Sequence, residues 1–462
     1  MIWHSRTRLT RFGRRAGSPG RLTVAVTASP EVSVTTTLSP PRSTRTVAKQ
    51  AIPALLVGVG SALVLIAVSV VANKIEHFLW NWLPDECGLA EDNRWWIFGT
   101  LTVTGILVGL IVWKMSGHAG PDPATTGLVA TPLKPRILPS LALTLIIGLA
   151  GGVSLGPENP IVAINVALAV WVLSKAWPKL PPMFGLMLAA AGTIGAMFGT
   201  PVAAALLFTE MKEMHSDGQL WDKLFGPLVA AGSGSLTMYL LASPVLSVNV
   251  PAYGTPHWMD LVSATVIGIA AMLLGFVALY AFEPLHWLFH KLPNPFVAIT
   301  LGGVVLGVLG AIGGKITLFK GLDEMKELAS TASQHTTQGL VLITVVKLVA
   351  LVVAGACGFR GGRIFPAVFI GVGAGLVATS LFPSIPVGLA IASGVLALVL
   401  VVSRDGWLAL FMGATVVGDV SVLPVLCLVI LPLWLLVAAR PEMIVKPKPK
   451  PDPQPTEETA PA

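Results

Sequence analysis

The stretch GGVSLGPENP, residues 151–160, sets one carboxylate, Glu158, between two prolines at the end of a long apolar run. GGRIFP at 361–366 sets a guanidinium, Arg363, in a similar place, and Asp122 lies in GPDP at 120–123. An ionisable group inside a membrane is expensive and by default functional. A helix start exposes unpaired N–H groups and carries the positive end of the helix dipole, roughly half a charge. Several such starts aimed at one point hold an anion without a full positive charge. The chemistry within reach of these residues is therefore to hold an anion and to compete with it. Bond-breaking chemistry finds less support. His4, His77, His118, His215, His257, His286, His290 and His335 are scattered near segment ends, and no nucleophile–base motif falls in the apolar runs. Cys87, Cys357 and Cys427 show neither metal spacing nor a disulfide framework. No enzyme, cofactor or metal site is expected.

The elements that must position these groups are membrane helices. Of 462 residues 54% are hydrophobic and 11% charged, with mean hydropathy +0.79, whereas a soluble domain is roughly a quarter charged. Apolar runs of roughly 15–23 residues number about fourteen, several too short for the ~20 residues of a straight crossing. The clearest are 51–73, 95–115, 137–155, 183–198, 259–282, 295–313, 339–357, 364–381, 386–402 and 422–439. They are interrupted at Gly120-Pro121-Asp122-Pro123, Gly156-Pro157-Glu158-Asn159-Pro160, Phe198-Gly199-Thr200-Pro201 and Gly361-Gly362-Arg363-Ile364-Phe365-Pro366. Irregular backbone at membrane depth is tolerated only where protein or a wet cavity covers it. Proline in each break sits where a new helix would start. The plainer reading, that these residues only kink packed helices, weakens as the breaks recur. GGVSLGPENPIVAINVA and GFRGGRIFPAVFIGVGAG also resemble one another, which points to an all-α polytopic fold of two inverted halves, about 51–245 and 255–440.

The net charge of +7 does not imply nucleic acid, because nine of the basic residues stand against Glu31 alone in the first fifty. Residues 1–50 read as a disordered basic tail, cytoplasmic by the positive-inside rule; an organellar transit peptide is the alternative. Residues 441–462 read as a Pro-rich disordered tail. The first connection, with Glu76, Asp85, Glu86, Glu91 and Asp92, should face outward.

Across residues 120–424 the order of motifs resembles the CLC chloride channels and chloride/proton antiporters. KLVALVVAGACGFRGGRIFPAVFIGVGAG at 347–375 is similar to the family's Lys-Leu helix start, Gly-rich turn and Gly-Gly-x-Phe-x-Pro, and GTIGAMFGTPVAAALLFTEM at 192–211 to its Phe-Asn-Ala-Pro segment with a terminal glutamate pair. GPENP stands where the family has Gly-(Arg/Lys)-Glu-Gly-Pro. The resemblance implies a homodimer in the plasma membrane, both tails cytoplasmic, passing a small inorganic anion. It makes Glu158 the gating glutamate and places Gly120, Pro121, Gly156, Pro157, Asn159, Arg363, Ile364 and Phe365 along the anion path. Three departures bear on substrate and coupling. Pro121 replaces the serine of the first anion motif, as in nitrate-preferring members. Met211 occupies the inner proton-donor position with Glu210 adjacent, so coupling to protons should be weak or absent. The only tyrosines, Tyr239, Tyr253 and Tyr280, lie upstream of the second anion motif, a loss shared with the fluoride exporters. Chloride is the first expectation, with nitrate and fluoride as alternatives. From the residues alone, a cap is the lesser alternative for Glu158, Asp122 could as readily be a surface cap, Arg363 could as readily snorkel to the interface, and the chain could be a broken-helix carrier of an organic anion.

Overall fold

Within lipid only a helix satisfies the backbone of a single apolar run, and the runs fold accordingly. The structure, a computed structural model, describes residues 44–90, 92–210, 219–243 and 246–446. The expected tails at 1–43 and 447–462, and Met211, lie outside the described residues. The chain divides into Met1–Val47 and Ala48–Ala462. Of the first unit only 44–47, the first turn of a helix, is described, and the second unit holds all the rest.

Sixteen α-helices are present among the described residues. They are α1 (Thr44–His77), α2 (Leu83–Glu86), α3 (Arg94–Lys114), α4 (Leu138–Ala150), α5 (Glu158–Ala176), α6 (Pro182–Phe198), α7 (Pro201–Leu206) and α8 (Leu220–Ala242). Then come α9 (Trp258–Phe289), α10 (Pro295–Gly313), α11 (Leu322–Ser330), α12 (Thr337–Ala356), α13 (Ile364–Leu381), α14 (Val387–Ser403), α15 (Gly406–Val417) and α16 (Leu423–Val437). Among the described residues nine helical stretches are long and apolar enough to cross a membrane, and five shorter apolar ones have 10–17 residues. The chain is a multi-pass, all-α membrane protein. Several of the short helices adjoin the Gly/Pro breaks.

Small residues set how closely the helices approach, because apolar side chains gain nothing by leaving lipid for one another. A Cβ on Gly105 of α3 would stand 3.0 Å from the backbone of Gly303 on α10, and one on Gly371 of α13 would stand 2.6 Å from the backbone of Val395 on α14. Both contacts are backbone on backbone. α13 and α14 are buried along most of their length.

Two expectations need correction. The break at 120–123 begins no α-helix. Asp122 caps only a 3-10 turn, Pro123–Thr125, and the next α-helix starts at Leu138. Pro132 and Pro135, Gly127 and the β-branched Thr125, Thr126, Val129 and Thr131 leave that stretch poor in helix formers. The C-terminal tail does not begin at 441 either. Met443 and Val445 are buried, and the Val445 N–H donates to the Ala124 carbonyl at 2.8 Å.

Candidate anion site

Glu158 is the first residue of α5, after Pro157 at its N-cap, and Ile364 is the first of α13, after Arg363. The two starts meet. Gly156 N–H donates to Gly362 O at 2.9 Å and Gly362 N–H to Gly156 O at 2.6 Å, an isolated antiparallel bridge between breaks 206 residues apart in the chain. The Phe365 N–H, one of the donors a helix start leaves unpaired, donates to Glu158 Oε1 at 2.6 Å. The other carboxylate oxygen, Oε2, is buried with no partner among the described residues. A Cβ on either Gly156 or Gly362 would fall on the Glu158 carboxylate. Two glycines and a helix start thus form a mould that a carboxylate fills. Phe365 packs its ring against Phe198, the last residue of α6, at 5.2 Å between centroids.

Pro121 and Asn159 come together around a cavity of about 30 Å³ that Thr126, Gly127 and Pro160 also line, room for about one water. The Asn159 amide donates to Gly127 O at 3.3 Å. Gly120 turns with φ +75° and offers its carbonyl to Arg360 Nη2 at 3.2 Å, so at that residue the polar group presented is an acceptor. Glu210 is exposed at the end of the turn Leu207–Glu210, with Asp405 as its charged neighbour.

Arg363 neither snorkels nor pairs directly with Glu158. It is buried, and its guanidinium donates to the carbonyls of Thr126, at 3.3 Å, and Met443, with the Phe282 ring 5.4 Å away. It fastens the 120–126 loop and the returning C-terminal segment to the start of α13. Arg363→Met should leave two carbonyls without their donor, at about 1–3 kcal/mol for each that stays dry. The expected result is a lower Tm in detergent and faster proteolysis after residue 440. Unchanged values of both would show that water replaces the guanidinium freely.

Three features escaped the spacing of the sequence. Lys347, on α12, is fully buried and donates to the carbonyls of Thr317 at 3.1 Å, Leu318, and Phe319 at 2.8 Å. It thereby holds Phe319 at φ +54°, where Phe319 N–H donates to Gly152 O at 3.0 Å and its ring meets Trp80 edge-on at 5.3 Å. The segment leading into Glu158 is braced through that contact. A polar cavity of about 720 Å³ opens beside it, lined by Glu76, Arg94, Lys315, Phe319, Glu324 and His335 among others. The third feature corrects the expectation that the histidines form no cluster with metal-ligating atoms. His286 of α9 and His290, which caps the C-terminus of that helix, both face Asp122, and one ligating atom from each of the three lies within 4.8 Å of the others. Burial opposes ionisation of Asp122, yet the hydrogen bonds from His286 and His290 and the nearby Arg360 hold its carboxyl well below the usual carboxylate range.

A membrane protein in which two broken-helix starts converge on one buried carboxylate belongs to the class of transporters and channels with discontinuous helices. Within that class the profile described as Voltage gated chloride channel matches residues 101–432, and the chain belongs to that family. It is 47% identical over 405 residues to a protein of Escherichia coli (strain 55989 / EAEC) that carries the name ion-transport protein YfeO, covering 87% of this chain and 97% of that one. Its fold matches a CLC-type fluoride/proton antiporter at TM-score 0.69 and 20% identity, over 86% of this chain and 97% of that one. It also matches a slow cyanobacterial Cl-/H+ antiporter at TM-score 0.70 and 19% identity, over 85% and 96%.

Proposed function

We propose that this protein carries small inorganic anions across the plasma membrane through a path gated by the Glu158 carboxylate. Chloride is the leading substrate, with nitrate and fluoride as alternatives, and coupling to protons is weak or absent. The observation that carries this reading is the charge-assisted bond from Phe365 N–H to Glu158 at the meeting of α5 and α13. Amides that hold a carboxylate suit a free anion as well, since both present acceptor oxygens or negative charge to the same donors. Gly156, Pro157, Ile364 and Phe365 surround that point, and Pro121 and Asn159 line the small cavity next in sequence to it. Arg363 adds positive charge at a distance, its donors being engaged elsewhere. Weak coupling rests on Met211, whose thioether cannot carry a proton, while Glu210, one residue earlier, ends a 3-10 turn.

The remaining expectations fit this reading. The protein is taken to be a homodimer with both tails cytoplasmic, and apolar residues such as Leu236, Tyr239 and Leu240 on α8 and Leu431 and Leu435 on α16 are exposed to meet lipid or a second copy. Efflux from proteoliposomes loaded in turn with chloride, nitrate or fluoride, with external pH recorded, tests it. At least one of the three should leave faster than from empty liposomes, without uphill proton movement. Passage of an organic anion alone would replace the reading by a carrier, and uphill proton movement abolished by Glu158→Gln would make the protein an antiporter.

A further inference from the structure

We propose that Asp122, His286 and His290 form a binding site for one divalent transition-metal ion of the Zn²⁺ class, separate from the anion path. His286 stands in the last turn of α9 and His290 four residues on, at its C-cap and still in right-handed helical conformation, which puts both rings on one helix face. Their Nε2 atoms lie 2.9 and 3.4 Å from the same carboxylate oxygen, Asp122 Oδ2. Asp122 divides its two oxygens cleanly. Oδ1 accepts from Ala124 N–H at 3.0 Å and lies 3.9 Å from Arg360 Nη1, while Oδ2 is left to the histidines.

His290 Nδ1 sits 2.9 Å from the His286 carbonyl, which can only accept, so Nδ1 carries the hydrogen and the neutral ring turns the lone pair of Nε2 outward. That lone pair faces a carboxylate oxygen. One proton on His290 makes that contact an ion pair, whereas two imidazolium rings stacked with centroids 3.8 Å apart at 24° repel, so a proton and a metal ion compete for the same Nε2. A single ion shared by both Nε2 atoms and Oδ2 engages all three, with His286 Nδ1 buried and without a partner among the described residues. Ligating histidines commonly donate their other N–H to a backbone carbonyl, which is what His290 does. Two imidazoles and a carboxylate, with the His290 side chain 44% exposed, give three protein ligands and an open position toward solvent.

Arg360 weakens the site by its charge and also gives it a reach. The same guanidinium that lies near Asp122 donates to the carbonyls of His118, Gly120 and Gly358, and Gly358 to Gly362 is the turn that leads into α13. An ion at Asp122 would therefore fix the 118–122 loop against α9 through bonds that begin in the same turn as the Glu158 mould.

The test is titration of the full-length protein in detergent with Zn²⁺, by calorimetry and by X-ray absorption at the zinc edge. One ion per chain should bind with a first shell of nitrogen and oxygen that includes two imidazoles. His290→Ala, at a half-exposed position, and Asp122→Asn, nearly isosteric, should each weaken binding by tenfold or more, with the circular dichroism spectrum unchanged for at least one of them. Equal affinity and stoichiometry in the His290→Ala protein, or a first shell with fewer than two imidazoles, overturns the proposal.

Discussion

Replacing Glu158 by glutamine should raise anion flux at neutral pH and flatten its dependence on pH. The wild-type side chain is held by a charge-assisted bond from Phe365 N–H at 2.6 Å, of a kind worth about 1.5–3 kcal/mol. Protonation or amidation removes the charge and most of that difference, so the closed rotamer loses about tenfold to a hundredfold in population. Glutamine also replaces one of the two acceptor oxygens by an NH₂ donor, so it cannot copy the carboxylate in a mould that presents an N–H donor at Phe365. In the wild type, flux should rise as pH falls and carboxylates discharge; in Glu158→Gln it should be high and level. Efflux of chloride from proteoliposomes at acidic and at neutral pH reads this directly. A well-folded mutant with the wild-type rate and pH profile would reduce Glu158 to a cap on α5.

Gly156→Ala should have the same effect by steric means. The nearest atoms to a Cβ at that position are all three from the Glu158 carboxylate group, and these form the movable end of a flexible side chain. Gly156 is not among the residues of positive φ, so alanine adopts its backbone without strain. The added methyl should therefore expel the carboxylate and leave the path open, with flux raised to the level of Glu158→Gln. The discriminating measurement is the double mutant. Added to Glu158→Ala, Gly156→Ala should change nothing, since the atoms it displaces are gone; an equal loss of flux in both backgrounds would show that the methyl obstructs the path itself.

The sequence displayed the multi-pass fold and the irregular backbone at Glu158 for a physical reason. Glycine and proline interrupt a membrane helix at a cost, and a chain that keeps them at 156–160 and 361–366 announces where its helices break. What spacing could not display are the partners. Arg363 looked free to face an anion because its two acceptors, at Thr126 and Met443, belong to segments 237 and 80 residues away. The GPDP break looked like a helix start until the run of Pro, Gly and β-branched residues behind it was given its full weight. The His286–His290 spacing was visible, one helical turn plus a residue's fraction, but half of its meaning lies in Asp122, 164 residues upstream of His286. Lys347 is a cation on an apolar helix, and only the fold supplies the three carbonyls that hold it.

The reciprocal amide bonds between Gly156 and Gly362 also limit what can move. A transporter that works by rocking one half against the other has to part its halves at their junction, a collective motion of microseconds to milliseconds. Here that junction is stitched by two short bonds of 2.9 and 2.6 Å, and what is left to swing is a single side chain, whose rotamers exchange in picoseconds to nanoseconds once freed. On the proposed gating, the barrier each ion meets is then a torsion and a desolvation instead of a rearrangement of the scaffold, and the throughput of the path is decoupled from the stiffness of the protein around it.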